Sequence, residues 1–191
     1  MAQARGEARR QAIVDAAVTL FATHGYRGTS VAAVAEIAGV TDAGVLYHFR
    51  TKADLLLAVL LAHDERYATM LRESADDELE RVRTWGEVME RDVDLTALLV
   101  TLSAEHLRDE SETNRYFRAR YDAVRRRYVA MFESAVAAGA LRDDVDAEAE
   151  AVHLIALMDG LRLQWFFSDG RISIADAVRR HVDLTLERLS R

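Results

Sequence analysis

The chain has 191 residues, a formal net charge of −7, no proline and no cysteine. An apolar share of 50% with 30% charged residues is typical of a globular protein with a core, and the length suits one domain or two small ones. The missing cysteines exclude disulfides, thiolate zinc sites and a cysteine nucleophile. The missing proline favours long helices, and the negative charge argues at first sight against a nucleic-acid partner.

Targeting and membrane signals are not found in the sequence. The N-terminal residues MAQARGEARRQ carry charges, but no apolar stretch follows them, so they do not form a secretory signal. No apolar run reaches the roughly 18–20 residues of a membrane-spanning helix, since Asp159, Arg162 and Gln164 interrupt the longest candidate. We therefore expect a cytoplasmic protein without a membrane partner.

Apolar residues recur with the helical period of 3.6 through most of the chain, and no alternating pattern indicates a strand. The pattern and its capping residues predict about nine helices in an all-α fold. In chain order they cover approximately residues 9–24, 30–38, 42–49, 52–72, 85–91, 95–107, 114–138, 146–167 and 173–189. The polar stretch 76–83 between the fourth and fifth helices is expected to form a loop or a frayed turn.

The second and third predicted helices form a helix-turn-helix. Ser30 or Thr29 is suited to cap the first helix, Gly39 suits a left-handed turn, and Thr41 is suited to cap the second. Helix-turn-helix motifs place their second helix in the major groove of DNA. The side chains expected to face the core of this motif are Val31, Val34, Ile37, Val40, Val45 and Leu46.

The charge is unevenly distributed along the chain. Residues 1–52 contain six basic and four acidic residues, a net charge of +2, so residues 53–191 carry −9. Lys52 is the sole lysine, and the other 24 basic residues are arginine. The charge therefore divides the chain near residue 52 into a part that contains the helix-turn-helix, residues 1–52, and an acidic helical part, residues 53–191.

Residues 13–56 resemble the TetR family of transcriptional regulators. The matching positions keep the family spacing over about 45 residues, as counted on the sequence. They are Ile13, Ala16, Ala17, Leu20, Phe21, Gly25, Tyr26, Thr29, Ser30, Val31, Ala38, Gly39, Val40, Thr41, His48, Phe49, Lys52, Leu55 and Leu56. The segment Met158–Leu161 also looks like members of this family. The resemblance implies a DNA-binding regulator, most commonly a repressor, with its DNA-binding domain at residues 1–52 and a helical effector-binding and dimerisation domain at residues 53–191. An enzyme is not expected, because the sequence lacks the common catalytic and phosphate-binding motifs, and no cofactor is expected.

The resemblance also implies roles for individual residues. Contacts to DNA phosphates are expected from Thr29, from its neighbour Ser30 and from Thr41. A further phosphate contact is expected from Lys52 at the start of the fourth helix. The residues expected on or near the major-groove face are Asp42, Ala43, Gly44, Tyr47 and His48. Arg5, Arg9 and Arg10 either are solvated or reach the DNA backbone or minor groove.

Two positions depart from the family pattern. Leu46 stands where the family often has tyrosine, and Tyr47 follows one position later, rotated by about 100° around the helix. Asp42 places a carboxylate where a neutral or basic residue is common. It repels phosphate but could accept a hydrogen bond from a cytosine amino group.

Helix-turn-helix proteins commonly bind a two-fold DNA site as dimers. The last two helices carry apolar stripes, so two copies could form a four-helix bundle, although some of these residues must belong to the core of one chain. The predicted interface consists of Leu154, Met158, Leu161, Ile174, Val178, Val182 and Leu189. The partners expected are thus a palindromic operator, a second copy of the chain and a small-molecule effector.

The family holds its effector among the middle helices, so the resemblance implies a pocket there. Bulky apolar groups with a few polar ends suit a small, mostly apolar molecule, although such a stripe is also typical of plain core. The candidate residues are Trp85, Met89, Leu98, Leu102, Phe117, Tyr121, Tyr128 and Trp165. Effector binding is expected to re-space the two recognition helices and lower operator affinity.

Two other functions are alternatives to an effector-controlled regulator. A carboxylate-bridged di-iron enzyme requires two Glu-x-x-His pairs on facing helices, and the chain has one, Glu150 with His153. A second acidic group, Glu105 with His106 and Asp109, is equally explained as a charged helix end beside a loop. The other alternative is a regulator that keeps the DNA-binding domain but responds to a partner protein.

Overall fold

The computed structural model describes the backbone of residues 2–190 and the side chains of residues 5–190. Nine α-helices and no strands occur within this part of the chain, as the sequence predicts. They are α1 (Ala2–Gly28), α2 (Val31–Ala38), α3 (Asp42–His48), α4 (Lys52–Ser74), α5 (Glu78–Arg91), α6 (Val93–Glu105), α7 (Glu112–Ala137), α8 (Ala147–Phe167) and α9 (Ile174–Leu189). Across residues 2–190, no helix has the length and apolarity that crossing a membrane requires.

The packing divides the chain into two compact units, at points other than residue 52. Unit 1 comprises Met1–Ala68 and Asp92–Tyr116, and unit 2 comprises Thr69–Arg91 and Phe117–Arg191. Each unit is therefore built from two separate stretches of chain, and the divisions fall within α4 and α7. Residues 53–68 and α6 belong to the same unit as the helix-turn-helix, although they were expected in the acidic domain.

Unit 1 is organised around α1, which packs against α2 and α6, while α2 packs against α3. Ile13, Ala17 and Phe21 of α1 are fully buried, as are Leu98 and Leu102 of α6. Burying such side chains stabilises a core by roughly 1.5–3 kcal/mol each. The buried side of α6 is thus part of the support for the helix-turn-helix.

In unit 2, α9 packs against α5 and α8. Helix α5 begins at Glu78, so the expected loop at 76–83 is wrong for most of its length. The Asp77 carboxylate accepts a hydrogen bond from the Glu80 amide at 2.9 Å, and Val82 is buried. Ion pairs one turn apart, Arg81 with Glu78 and Arg83 with Glu80, support the polar turn.

Two of the residues expected in the core of the motif lie at the surface. Ile37 is 58% exposed and Leu46 is 45% exposed, whereas Val34 and Val45 are buried. Helices α2 and α3 have only eight and seven residues, and each turns one side toward α1. A few residues on that side are therefore enough to bury it. Ile37 and Leu46 belong to the outer surface of the motif.

Candidate nucleic-acid interface

Helix α2 and the turn after it are fixed by local hydrogen bonds. The Ser30 hydroxyl accepts a hydrogen bond from the Ala33 amide at 3.0 Å, which caps α2. Gly39 ends the helix with φ 65°, a left-handed conformation that favours glycine. The Val40 amide then donates to the Ala35 carbonyl at 3.0 Å. These bonds set the direction in which α3 leaves the turn.

The recognition helix α3 begins at a threonine cap. The Thr41 hydroxyl accepts a hydrogen bond from the Gly44 amide at 3.1 Å. Thr41, Asp42 and Ala43 are exposed, while Val45 is fully buried against the rest of unit 1. The start of α3 therefore presents its surface to solvent on a fixed helical frame.

Removing the α3 cap should destabilise the motif. We expect Thr41→Ala to lower the free energy of unfolding by about 1 kcal/mol, because the Gly44 amide loses its acceptor. Thr41→Ser keeps the oxygen and serves as the control, with stability within a few tenths of a kcal/mol of the parent. Equal losses in both variants in a urea titration would show that the cap contributes nothing.

The outer surface of α3 ends in two aromatic side chains. Tyr47 is 85% exposed, and its ring meets the His48 ring edge-on at a centroid distance of 5.3 Å. An open groove of about 650 Å³ runs beside them. Its lining residues are Arg5, Gly6, Arg9, Gly39, Val40, Thr41, Gly44, Tyr47 and His48. Two arginines of α1 thus share a concave surface with the recognition helix.

The remaining arginine of the N-terminal segment is placed differently. The Arg10 guanidinium lies over the Phe49 ring, 5.0 Å from its centroid, and 4.0 Å from the Glu7 carboxylate. Arg10 thus covers a core aromatic residue, while Arg5 and Arg9 face the groove. This arrangement favours Arg5 and Arg9 over Arg10 as contacts to a nucleic-acid backbone.

Thr29 is not at the surface. Its side chain is 4% exposed, and its hydroxyl donates to the Gly25 carbonyl at 2.9 Å and the Leu20 carbonyl at 3.2 Å. The hydroxyl is therefore engaged inside unit 1, contrary to the expectation of a phosphate contact. Ser30, the next residue, is exposed and carries the cap instead.

Lys52 is also engaged within unit 1. Its ammonium group donates to the Tyr26 carbonyl and lies 4.2 Å from the centroid of the Tyr26 ring. Burial lowers the pKa of Lys52, and the negative charge of Glu105 opposes that shift. The lysine expected to face phosphate thus joins the start of α4 to the end of α1.

Sequence reasoning missed the part that Glu105 takes in this junction. One Glu105 oxygen accepts a hydrogen bond from the Tyr26 amide at 2.6 Å. The other lies 2.6 Å from where a side chain on Gly25 would begin, and Gly25 has φ 71° and ψ 173°. Glycine at 25 thus allows the last carboxylate of α6 to reach the backbone of α1. Gly25 and Glu105 are far apart in the chain, so no local sequence pattern indicates that they meet.

The acidic group at 105–109 is explained by the end of α6. The Asp109 carboxylate is 2.6 Å from Nδ1 of His106 and accepts from the Ser111 hydroxyl at 2.5 Å. These bonds, chiefly the one from Ser111, lower the pKa of Asp109. No group of three or more acidic, histidine or cysteine residues suited to a metal ion occurs among the residues that the structure describes.

The candidate effector residues do not belong to one unit. Leu98 and Leu102 are fully buried in unit 1. The others lie in unit 2, where Trp85, Met89, Phe117 and Tyr128 are buried and Tyr121 and Trp165 are more exposed. A crevice of about 20 Å³ in unit 2 lies among other residues, including Leu154 and His181. Its size suits about one water molecule.

The seven predicted interface residues are also buried within the chain. Their exposed fractions range from 0% at Ile174 and Val178 to 5% at Leu161 and Val182. They therefore form the core of unit 2, and in this structure they are covered by their own chain. The lone Glu-x-x-His pair is also accounted for, because Glu150 accepts a hydrogen bond from Arg188 at 2.7 Å.

Comparison with known proteins agrees with this geometry. Residues 13–59 match the family model described as bacterial regulatory proteins, tetR family. Residues 65–191 match the model described as BetI-type transcriptional repressor, C-terminal. The chain belongs to the TetR family of transcriptional regulators. The family is one of DNA-binding regulators rather than enzymes, as the sequence predicted.

Curated relatives and solved structures extend the match along the whole chain. The chain is 26% identical to the regulator TtgR of Pseudomonas putida, covering 94% of this chain and 90% of TtgR. It is 30% identical to the repressor AcnR of Corynebacterium diphtheriae, covering 80% and 78%. A TetR-family structure from Rhodococcus sp. superposes with a TM-score of 0.74 at 27% identity, covering 96% and 98%. Salmonella enterica GusR gives a TM-score of 0.74 at 26% identity, covering 94% and 95%.

Proposed function

We propose that this TetR-family regulator is a repressor that binds a palindromic operator as a homodimer and releases it when a small, mostly apolar effector binds. The observation that carries the proposal is the recognition helix, whose exposed Tyr47 lies beside a groove containing Arg5 and Arg9. Repression is supported by the match to a C-terminal model named for repressors and by the likeness to AcnR.

Selection of bound fragments from a random DNA library tests the DNA-binding part of this proposal. We expect an inverted repeat whose half-sites are separated by about one helical turn or a multiple of it. Operator affinity should fall steeply as the salt concentration rises, because arginine contacts to phosphates release counterions from the DNA. Recovery of no sequence preference from the library would contradict operator recognition.

Tyr47 is expected to be a major contributor to operator affinity. We expect Tyr47→Ala to weaken binding roughly ten- to a hundredfold, the usual effect of losing a side chain of about 1–3 kcal/mol in a DNA interface. Stability should change little, since the ring is 85% exposed. Leu107→Ala, at a residue of unit 1 that is 70% exposed, is the control and should bind as the parent does. Equal affinities in a mobility-shift titration would exclude Tyr47 from the interface.

The homodimer requires a surface other than the seven predicted residues. Helix α8 leaves three large apolar side chains uncovered: Val152 at 50% exposure, Leu163 at 46% and Phe167 at 85%. Leu184 of α9 is 54% exposed. Val152, Leu163 and Phe167 are spaced 11 and 4 residues apart and so share one face of α8. Exposed apolar side chains on one face indicate an interaction site. We therefore assign the dimer contact to this face of α8 together with Leu184.

A charge within this surface should dissociate the dimer. We expect Leu163→Glu combined with Phe167→Glu to reduce the mass measured by light scattering from about twice 21.4 kDa to that of one chain. Operator affinity should fall with it, because one half-site alone supplies fewer contacts. Leu61→Glu, at a leucine of unit 1 that is 56% exposed, is the control and should remain dimeric. A dimer that survives the double substitution would place the interface elsewhere.

Release by an effector is tested by adding compounds to the preformed operator complex. An effector can shift the equilibrium only by its differential affinity for the two conformations. We expect at least one small, mostly apolar compound from a hydrophobic panel to lower operator affinity in a mobility-shift titration. A panel in which none releases the DNA would contradict this part of the proposal.

A further inference from the structure

Unit 2 contains a buried arginine whose surroundings are unusual for a helical core. The Arg162 side chain on α8 is 10% exposed, and its guanidinium lies over the Trp85 ring at 4.9 Å from the centroid. One Nη donates to an Asp159 oxygen at 2.9 Å. The other Asp159 oxygen accepts from the Tyr121 hydroxyl at 2.8 Å. We refer to Trp85, Tyr121, Tyr128, Asp159 and Arg162 as the Arg162 cluster.

Two donors of this cluster lack a strong acceptor. Nε of Arg162 is buried and has no hydrogen-bond acceptor among the described residues. The buried Tyr128 hydroxyl donates to the sulfur of Met158 at 3.6 Å, and a thioether is a weak acceptor. Buried donors without good acceptors are costly and rare in folded proteins. Such an arrangement therefore favours an acceptor supplied from outside the chain.

Helix geometry places the two donors on one side of α8. Met158 and Arg162 are four residues apart, so their side chains lie on the same helix face, one turn from each other. The Tyr128 hydroxyl contacts Met158, and the Arg162 charge acts on its pKa, so the hydroxyl and the guanidinium lie on the same side of α8. A carboxylate has two oxygens and can accept from two donors on one side of a helix.

The Tyr128 hydroxyl keeps its proton and therefore remains a donor. Burial raises the pKa of Tyr128 to about 12, while Arg127, Arg162 and Arg120 oppose that shift and Glu78 adds to it. Arg127 is paired with Glu78 and Arg162 with Asp159. The hydroxyl is consequently protonated at neutral pH and can donate to an anion.

The cluster also reaches solvent on one side. Tyr121 is 38% exposed, and the Asp159 side chain is 35% exposed. The opposite side is apolar, because Trp85 is 1% exposed and Leu161 is 5% exposed. Tyr121 and Asp159 therefore form the solvent side of the cluster, and Trp85 forms its buried apolar side.

We propose that the Arg162 cluster is a binding site for a small organic acid, whose carboxylate accepts hydrogen bonds from Nε of Arg162 and the Tyr128 hydroxyl and whose apolar part packs against Trp85. Asp159 holds the other side of the guanidinium. The assignment rests on the proposed effector response and narrows its ligand from mostly apolar molecules to carboxylate-bearing ones.

Isothermal titration calorimetry on the full chain without DNA tests the site directly. The probes are cinnamate and decanoate, each compared with its primary amide, which keeps the size and removes the charge. We expect at least one acid to bind, with its amide at least tenfold weaker, because a charge-assisted hydrogen bond is about twice as strong as a neutral one. Absence of binding by both acids at millimolar concentration, or equal binding by acid and amide, overturns the proposal.

Three variants assign the binding to these residues. Arg162→Gln should reduce acid affinity at least tenfold, because it removes the positive charge together with the Nε donor. Tyr128→Phe should reduce it several-fold, because it removes one hydroxyl donor. Asp159→Asn should increase acid affinity, because it removes the competing carboxylate. Arg126→Gln, at an exposed arginine of α7, is the matched control and should bind as the parent does. Circular dichroism confirms that each variant is folded.

If Arg162→Gln fails to fold, the other two variants still test the site. Tyr128→Phe should lower the affinity for the acid, and Asp159→Asn should raise it. Unchanged acid affinity in both of these folded variants overturns the site. Because calorimetry uses protein without DNA, failure of operator selection or release leaves this result standing, and failure of acid binding leaves operator recognition standing. The two proposals can therefore fail separately.

Discussion

Replacing Gly86 with alanine is expected to lower the free energy of unfolding by about 2 kcal/mol. A Cβ at this position would lie 2.5 Å from the Cα and N atoms of Ala175 and 2.7 Å from the carbonyl carbon of Ile174. These are backbone atoms at the start of α9, so relief requires the helix itself to move. The helix propensity of alanine returns only about 1 kcal/mol of this loss.

The start of α9 cannot move freely, because it is tied to α5. Glu90, one turn beyond Gly86, accepts hydrogen bonds from the Ile174 amide at 2.6 Å and the Ala175 amide at 3.2 Å. Gly6→Ala is the control, since no atom lies within 4 Å of its added Cβ. Urea denaturation measures both variants. Equal stability of Gly86→Ala and Gly6→Ala would show that the helices separate at little cost.

Gly25→Ala is expected to destabilise unit 1 by about 3 kcal/mol, for two separate reasons. The backbone at φ 71° and ψ 173° lies in a region that is nearly restricted to glycine, which costs about 1–3 kcal/mol for other residues. The added Cβ would also lie 2.6 Å from an oxygen of Glu105. The displaced carboxylate would then lose its hydrogen bond to the Tyr26 amide.

A comparison with Gly39 separates strain from collision. Gly39 also has a positive φ, 65°, but no atom lies within 4 Å of its added Cβ. We expect Gly39→Ala to lose only about 1–2 kcal/mol, the cost of a left-handed conformation. Combining Gly25→Ala with Glu105→Ala should cost less than the sum of the two single losses, because the collision is removed. Additive losses in urea denaturation would argue against contact between the two sites.

Local signals in the sequence were sufficient for most helix boundaries. Ser30 or Thr29, and Thr41, were expected to cap helices, while Asp146 and Ser173 were expected to begin them. Ser30, Thr41, Asp146 and Ser173 each accept a hydrogen bond from an amide in the first turn. Gly39 was expected in a left-handed turn and has φ 65°. Each of these features depends on residues only three or four positions apart. They can therefore be predicted from the sequence alone.

Features that depend on distant residues could not be predicted in the same way. The apolar stripes of α8 and α9 were identified, but a stripe does not indicate whether its own chain or a second copy covers it. Leu154 and Val178 are covered by their own chain. Thr29 and Lys52 were expected at phosphates, yet their partners are the carbonyls of Gly25 and Tyr26. The burial of Arg162 against Trp85 likewise depends on the packing of α5 with α8.

The discontinuous make-up of unit 1 has a consequence for biosynthesis. Its first stretch ends at Ala68 and its second begins at Asp92, so α6 leaves the ribosome after part of unit 2 has been made. Synthesis adds roughly 5–20 residues per second. Seconds therefore pass between synthesis of the helix-turn-helix and synthesis of Leu98 and Leu102 in α6, the helix that covers α1. During that interval the apolar surface around Phe21 is open to chaperones and proteases. A newly made copy therefore acquires a firmly supported DNA-binding surface only after residue 105 has been added.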